Sequence, residues 1–182
     1  VVDAYLALLR ENPRVPTAAA IADRAGYSVR SIFERFPDLH ALRIAATDEA
    51  MAKAAAYVAA HPPLGDRIER MRIHVVTRAT VCQEWLPLWR ALNLNQGDSA
   101  ELKARIGLAR QLIIRRIEEA YGPELSTLDE LPRRQTVLAI ETLVDFESWA
   151  RMRELFGLEF AEACNVWIHA IDRLLPPTPA IS

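Results

Sequence analysis

Apolar residues recur along this chain at helical spacing. Ile21, Ala22 and Ala25 fall at i, i+1 and i+4, and Ile32, Phe33 and Phe36 repeat the same step. Near the C-terminus Phe160, Cys164, Trp167, Ile171 and Leu174 advance by 4, 3, 4 and 3. Such steps put side chains on one face of a helix. No β-branched run alternates strictly at period two, so strands are not expected. Pro and Gly punctuate the periodic stretches at Pro13/Pro16, Gly26, Pro37, Pro62-Pro63 with Gly65, Pro87, Gly97, Gly122-Pro123, Pro132, Gly157 and from Pro176 onward. The pattern predicts an all-α protein of about nine helices. They fall near 1–11, 17–25, 28–35, 38–60, 66–83, 85–93, 99–121, 131–155 and 158–175. Thr17 is placed to cap the second helix. Asp98 with Glu101, and Thr127 with Glu130, have capping-box spacing. The first three helices are short and closely joined, and longer ones follow. That asymmetry predicts a three-helix head over 1–47, a larger helical body over 48–175 and a Pro-rich tail over 176–182 that frays.

Composition narrows the function classes. With 182 residues the prior is one domain, or a small module joined to a larger one. Lys+Arg number 22 against 24 Asp+Glu, a net charge of -2, which excludes a uniformly basic nucleic-acid coat. A hydrophobic share of 51% argues against wholesale disorder. No apolar run approaches the ~20 residues of a membrane span. Cys82 and Cys164 are too few for a disulfide framework and lack the spacing of a zinc site, which fits a reducing, cytoplasmic setting. The sequence opens at Val1 without a charged-then-apolar leader, so a signal peptide is not expected and a few upstream residues are.

The segment from Thr17 to Phe36 has the layout of a helix-turn-helix. Ala25 is small where two helices cross, Gly26 permits a left-handed helix end, and Ser28 can cap the next helix. With Ile32, Phe33 and Phe36 closing the second helix onto the first, Ser28, Val29, Arg30 and Ser31 project outward at its N-terminal end. A recognition helix presents base-reading side chains from that end. An ordinary αα-hairpin inside a bundle satisfies the same pattern.

These residues resemble the DNA-binding head of the TetR (tetracycline-repressor-like) family. The resemblance runs through Val2-Asp3-Ala4, Thr17, Ile21-Ala22, Ala25-Gly26-Tyr27-Ser28, Ile32-Phe33, Phe36-Pro37-Asp38 and Leu42, without a gap from Thr17 to Leu42. It implies a DNA-binding surface of Thr17, Tyr27, Ser28, Val29, Arg30, Ser31, Phe33 and Arg35. Three positions depart from the family pattern. Phe33 stands where a phosphate-bonding tyrosine is usual, Leu39 where a lysine is usual, and Tyr5 where a small residue is usual. The head carries six arginines (Arg10, Arg14, Arg24, Arg30, Arg35, Arg43) against five acids (Asp3, Glu11, Asp23, Glu34, Asp38), a weak +1 for binding phosphates. A basic arm upstream of Val1 would strengthen it.

In the body, helix 131–155 bears two apolar stripes, Val137, Ile140 and Val144 in one, and Leu143, Phe146, Trp149, Met152 and Phe156 in the other. A helix apolar on more than one face requires more than one partner. Burial in a thick monomer core and burial against a second subunit both satisfy this. The resemblance implies the second, a homodimer through the last two long helices, with Val144, Phe160, Cys164, Trp167, Ile171 and Leu174 at the interface. It also implies a small-molecule effector held in the body. Met71, His74, Arg78 and Cys82 share a helix face that leads to Trp85 and Trp89. With Phe146 and Trp149 they form the expected pocket lining, apolar walls around a few polar handles. The competing reading makes Met71, Trp85 and Trp89 core and sends His74 and Arg78 to the surface or to a salt bridge.

No catalytic constellation is found: there is no phosphate-binding glycine loop, no GxSxG and no HExxH. Glu118 and Glu119 adjoin in sequence and diverge by about 100° on a helix. No enzyme, cofactor or metal site is expected. His40, His61 and His169 lack ligand spacing. The sequence therefore predicts a ligand-responsive regulator, a repressor by resemblance, whose dimer sets two recognition helices in successive major grooves of palindromic operator DNA about 34–36 Å apart. Effector binding would change the pitch of helix 38–60 and so the separation of the heads. The alternative is a helical small-molecule or partner-binding module that no longer reads DNA.

Overall fold

A computed structural model describes residues 1–12, 14–95 and 99–180. Every regular element among them is helical: α1 (Val2–Glu11), α2 (Ala18–Ala25), α3 (Val29–Arg35), α4 (Leu39–Ala59), α5 (Arg67–Asn95), α6 (Ala100–Leu125), α7 (Glu130–Leu143), α8 (Phe146–Ala150), a π turn over Arg151–Leu155, and α9 (Phe160–Leu174). None of these helices is long and apolar enough to cross a membrane. Two compact units result, Val1–Ala55 with Trp85–Gly107, and Ala56–Glu84 with Leu108–Ser182.

In the first unit α1 packs on α2 and α2 on α3, around buried Tyr5, Leu9, Ile21, Ile32 and Leu42. Bulky Tyr5 is accommodated in full, and burial pushes its phenol up to about 12. Arg24 grips Glu11 through two bonds of 2.8 and 2.5 Å, joining α2 to α1. Arg105 holds Asp48 in the same two-toothed way, at 2.6 and 2.8 Å. Paired hydrogen bonds of this kind fix orientation as well as distance.

The second unit is centred on Ile117, Tyr121, Leu125, Ile140, Val144, Trp149, Trp167 and Ile171, all buried. Here the observed elements depart from those expected. Helix 131–155 is broken: Val144 leaves helical geometry, and the Asp145 carboxylate accepts the Glu147 N–H at 2.8 Å, starting α8 afresh. Gly157, at φ +64°, then turns the chain into α9, where Glu159 N–H donates to the Glu162 carboxylate at 2.7 Å. By contrast, the break expected between 83 and 85 does not exist. α5 runs through Pro87, whose missing N–H normally costs about 3 kcal/mol inside a helix, with Trp85, Leu88 and Trp89 buried around it. α6 likewise continues past Gly122-Pro123 to Leu125, kinked at Tyr121 (φ -119°, ψ 19°).

Of the two capping boxes, Thr127–Glu130 is absent. Asp129 precedes α7, while the Thr127 hydroxyl donates to the Glu124 carbonyl at 2.8 Å. The Asp98–Glu101 pair falls partly outside the described residues. The tail does not simply fray. Arg67 Nη1 donates to the Pro176 carbonyl at 2.5 Å, and the Thr178 hydroxyl donates to Glu124 Oε1 at 2.5 Å.

Candidate functional site

Local chemistry builds the α2–α3 pair from both ends. Thr17 Oγ1 accepts the Ala20 N–H at 3.2 Å and starts α2. Gly26 ends it at φ 70°, ψ 29°, a left-handed conformation that costs a side-chain-bearing residue energy. Ser28 Oγ accepts the Ser31 N–H at 3.0 Å and lies 2.9 Å from Ser31 Oγ, so the two hydroxyls serve the start of α3. Ile32 is wholly buried and fixes the inward side of α3. Thr17, Tyr27, Ser28, Val29, Arg30, Phe33 and Arg35 are exposed, and Ser31 is half-buried. The expected surface residues are therefore each accessible, at least in part. Phe33 does not close the hairpin with Ile32, being 42% exposed. Not every cation there is free. Arg30 Nε bonds Glu34 Oε1 at 3.0 Å, whereas Arg35 has no ion-pair partner among the described residues.

The eight residues expected to line a pocket are all buried. Met71, His74, Arg78, Cys82, Phe146 and Trp149 belong to the second unit, and Trp85 and Trp89 to the first. In the first unit the Arg10 guanidinium sits 5.2 Å from the Trp85 ring centre. His74 and Arg78 do not reach the surface. His74 Nδ1 lies 2.7 Å from Tyr121 Oη, and burial, with Arg116 and Arg78 nearby, pushes the imidazole down to about 3. It is neutral at physiological pH. Arg78 Nε donates to the Val144 carbonyl at 2.9 Å, and its guanidinium stacks 4.6 Å over the Phe146 ring. The break in helix 131–155 thus exposes a carbonyl that a buried arginine satisfies. Trp149 Nε1 donates to Gln83 Oε1 at 3.1 Å. Burial raises both thiols, Cys82 and Cys164, to about 11, which leaves them protonated and unreactive. Among the described residues no three His, Cys, Asp or Glu side chains converge as a metal site would require.

A groove of about 660 Å³ lies elsewhere in the second unit, lined by Ile114, Glu118, Leu128, Glu130, Arg133, Arg134, Val137 and Leu138. Of these, Val137, Glu118 and Glu130 were named in the sequence, none as a groove residue, because the groove joins the polar flanks of α6 and α7, which read as ordinary solvated faces.

Four residues expected at a dimer interface are interior to one chain. Val144, Cys164, Trp167 and Ile171 are buried within the second unit. Trp167 instead meets Trp149 with ring centres 5.3 Å apart, and Phe160, half-buried, meets the other edge of Trp149 at 5.3 Å. Leu174 remains exposed, beside Val166 on α9, while Leu131 and Leu138 are exposed on α7, which packs against α9.

A crystal structure of a Rhodococcus sp. protein assigned to the TetR family of transcriptional regulators superposes with a TM-score of 0.68 over 96% of both chains, at 18% sequence identity. The fold is TetR-like. No family model matches the sequence, and no curated protein is significantly similar to it. The likeness thus rests on architecture, the all-helical order of α1–α9.

Proposed function

We propose that the chain is a cytoplasmic DNA-binding transcriptional regulator, a repressor released by a small molecule, that binds a palindromic operator as a homodimer. One observation carries the reading: a helix-turn-helix capped at Thr17 and Ser28 whose second helix buries Ile32 and turns Val29, Arg30 and Phe33 to solvent. Helices presented in this way enter the major groove from their N-terminal end. Arg35 and Arg30 supply cations, the latter once Glu34 releases it. Phe33 lies where a hydroxyl would bond a phosphate. The homodimer is supported by the exposed apolar residues Leu131, Leu138, Val166 and Leu174 on two adjoining helices, a surface that prefers burial. The effector would be held in the body; Met71, His74, Arg78, Cys82, Phe146 and Trp149 are its nearest candidates for contact, through the movement of a packed cluster.

Selection of bound sequences from random duplex DNA by the full chain tests the reading. Enrichment of a site with two inverted halves supports it. A second reading, a helical module that no longer reads DNA, draws on the +1 balance of the head and on Arg24 and Arg30 being engaged by acids. Recovery of no sequence, at low salt as well as high, would favour that module.

A further inference from the structure

The first turn of α3 holds few groups able to read a base edge. Ser28 and Ser31 spend their hydroxyls on each other and on the Ser31 N–H. Arg30 is paired with Glu34 on the side of the helix opposite Ile32. What remains is Val29, 39% exposed, with Phe33 one turn further along the same flank and about 40° around the axis. Each keeps about two-fifths of its surface open to solvent, side by side on a seven-residue helix.

Resting on the DNA-binding reading above, we infer that Val29 recognises the C5-methyl group of a thymine in each half-site, with Phe33 walling the same apolar strip. The major groove floor carries one apolar group, that methyl; every other edge presents donors or acceptors that an isopropyl group would strip of water without replacing. Val29 therefore selects thymine by contact with the methyl and disfavours cytosine, whose N4 amine would lie unpaired against it. Arg35, at the far end of α3, adds a cation that holds the helix in the groove without choosing a base.

The test begins from the sequence selected by the full chain and replaces each thymine, one at a time, with uracil, which keeps every hydrogen-bonding group and lacks only the methyl. One position per half-site should lose about fourfold in affinity, the worth of one buried methyl. In Val29→Ala, a surface change checked for retained helicity, that same position should bind thymine and uracil equally. A selected site indifferent to uracil everywhere overturns the inference and leaves the regulator reading intact. A fourfold effect that persists in Val29→Ala assigns the methyl to another residue and also overturns it. Failure to select any sequence removes both.

Discussion

His74 Nδ1 and Tyr121 Oη lie 2.7 Å apart, joining the inward face of α5 to the point where α6 kinks. The bond satisfies two buried polar groups, and leaving either one unpaired would cost about 1–3 kcal/mol.

The pair has a pH consequence. His74 takes up a proton near pH 6.5 in the unfolded chain and only near pH 3 in the folded one. Its folded value is depressed, so its contribution is fully present above pH 6.5 and is lost as pH falls toward 3. Between pH 7 and 5 the loss is about 2 kcal/mol. His74→Asn keeps a polar atom near Nδ1 and does not titrate, so its stability should fall less over that window, from a lower starting value. Urea unfolding of both proteins at the two pH values is the check. Equal slopes would put the acid sensitivity elsewhere.

Arg67 should matter more than its neighbours on the first turn of α5. It donates to Asp172 Oδ1 at 3.0 and 3.1 Å, to the Asp172 carbonyl at 3.1 Å and to the Pro176 carbonyl at 2.5 Å, closing the end of α9 and the start of the tail. Carbonyls at a helix end need such donors. Arg67→Ala should lower stability by about 2–4 kcal/mol, because several acceptors lose a charged donor together. Asp172→Ala, at a half-exposed partner, should cost about 0.5–1 kcal/mol. Thermal melts of the two variants separate these outcomes, and equal small losses would mean that solvent replaces Arg67 freely.

On the DNA side, Phe33 already points outward, so Phe33→Tyr adds a hydroxyl without displacing a core ring. Affinity for the selected site should rise by about 0.5–1.5 kcal/mol, one net hydrogen bond. Titration in a gel-shift assay reads it. No change would rotate α3 relative to the phosphates.

Arg30 must leave Glu34 to touch a base. Arg30→Ala should cost about 1–3 kcal/mol at the selected site and relax preference at one base pair. Glu34→Gln removes the competing carboxylate and should tighten binding. Equal losses on selected and random DNA for Arg30→Ala would give Arg30 a backbone role.

The head was the legible part of this sequence because its signals are local. Thr17, Gly26 and Ser28 each act on a backbone group within three residues, so residue type and spacing suffice. The body was less so, because tertiary packing outweighed local signals in both directions. At Pro87 the burial of Trp85, Leu88 and Trp89 carries a helix through a residue that usually breaks one. At Asp145 a single polar residue inside an apolar stretch proved to be a cap, dividing the expected helix 131–155. That division also explains why Trp149 and Trp167 are buried within one chain. A continuous helix would have needed an outside partner for its second stripe; broken at Val144, it turns Trp149 to meet Trp167 within one chain.

The two tryptophans give the sharpest separation between folding and association. Trp167 is wholly buried, with Nε1 3.4 Å from Ser148 Oγ and its ring against Trp149. Trp167→Glu removes a large core side chain, at about 3–5 kcal/mol, and buries a carboxylate in a site filled by an indole. Together these approach the whole stability of a small domain, about 5–15 kcal/mol. The variant should therefore lose helicity and cooperative melting rather than yield a folded monomer. Val166 and Leu174 lie on the same helix but are 47% and 42% exposed, and Leu138 on α7 is 44% exposed. Glutamate at Val166 and Leu174 together should leave the melting temperature nearly unchanged and weaken association by more than 2 kcal/mol, if large apolar residues at the interface centre carry its energy. Sedimentation at micromolar concentration, read beside circular dichroism, distinguishes the cases. A Val166→Glu/Leu174→Glu protein that stays dimeric moves the contact off this face. A folded Trp167→Glu protein would mean that the tryptophan core is not what holds α8 against α9, and a monomeric wild type would remove the second recognition helix on which binding to a palindrome depends.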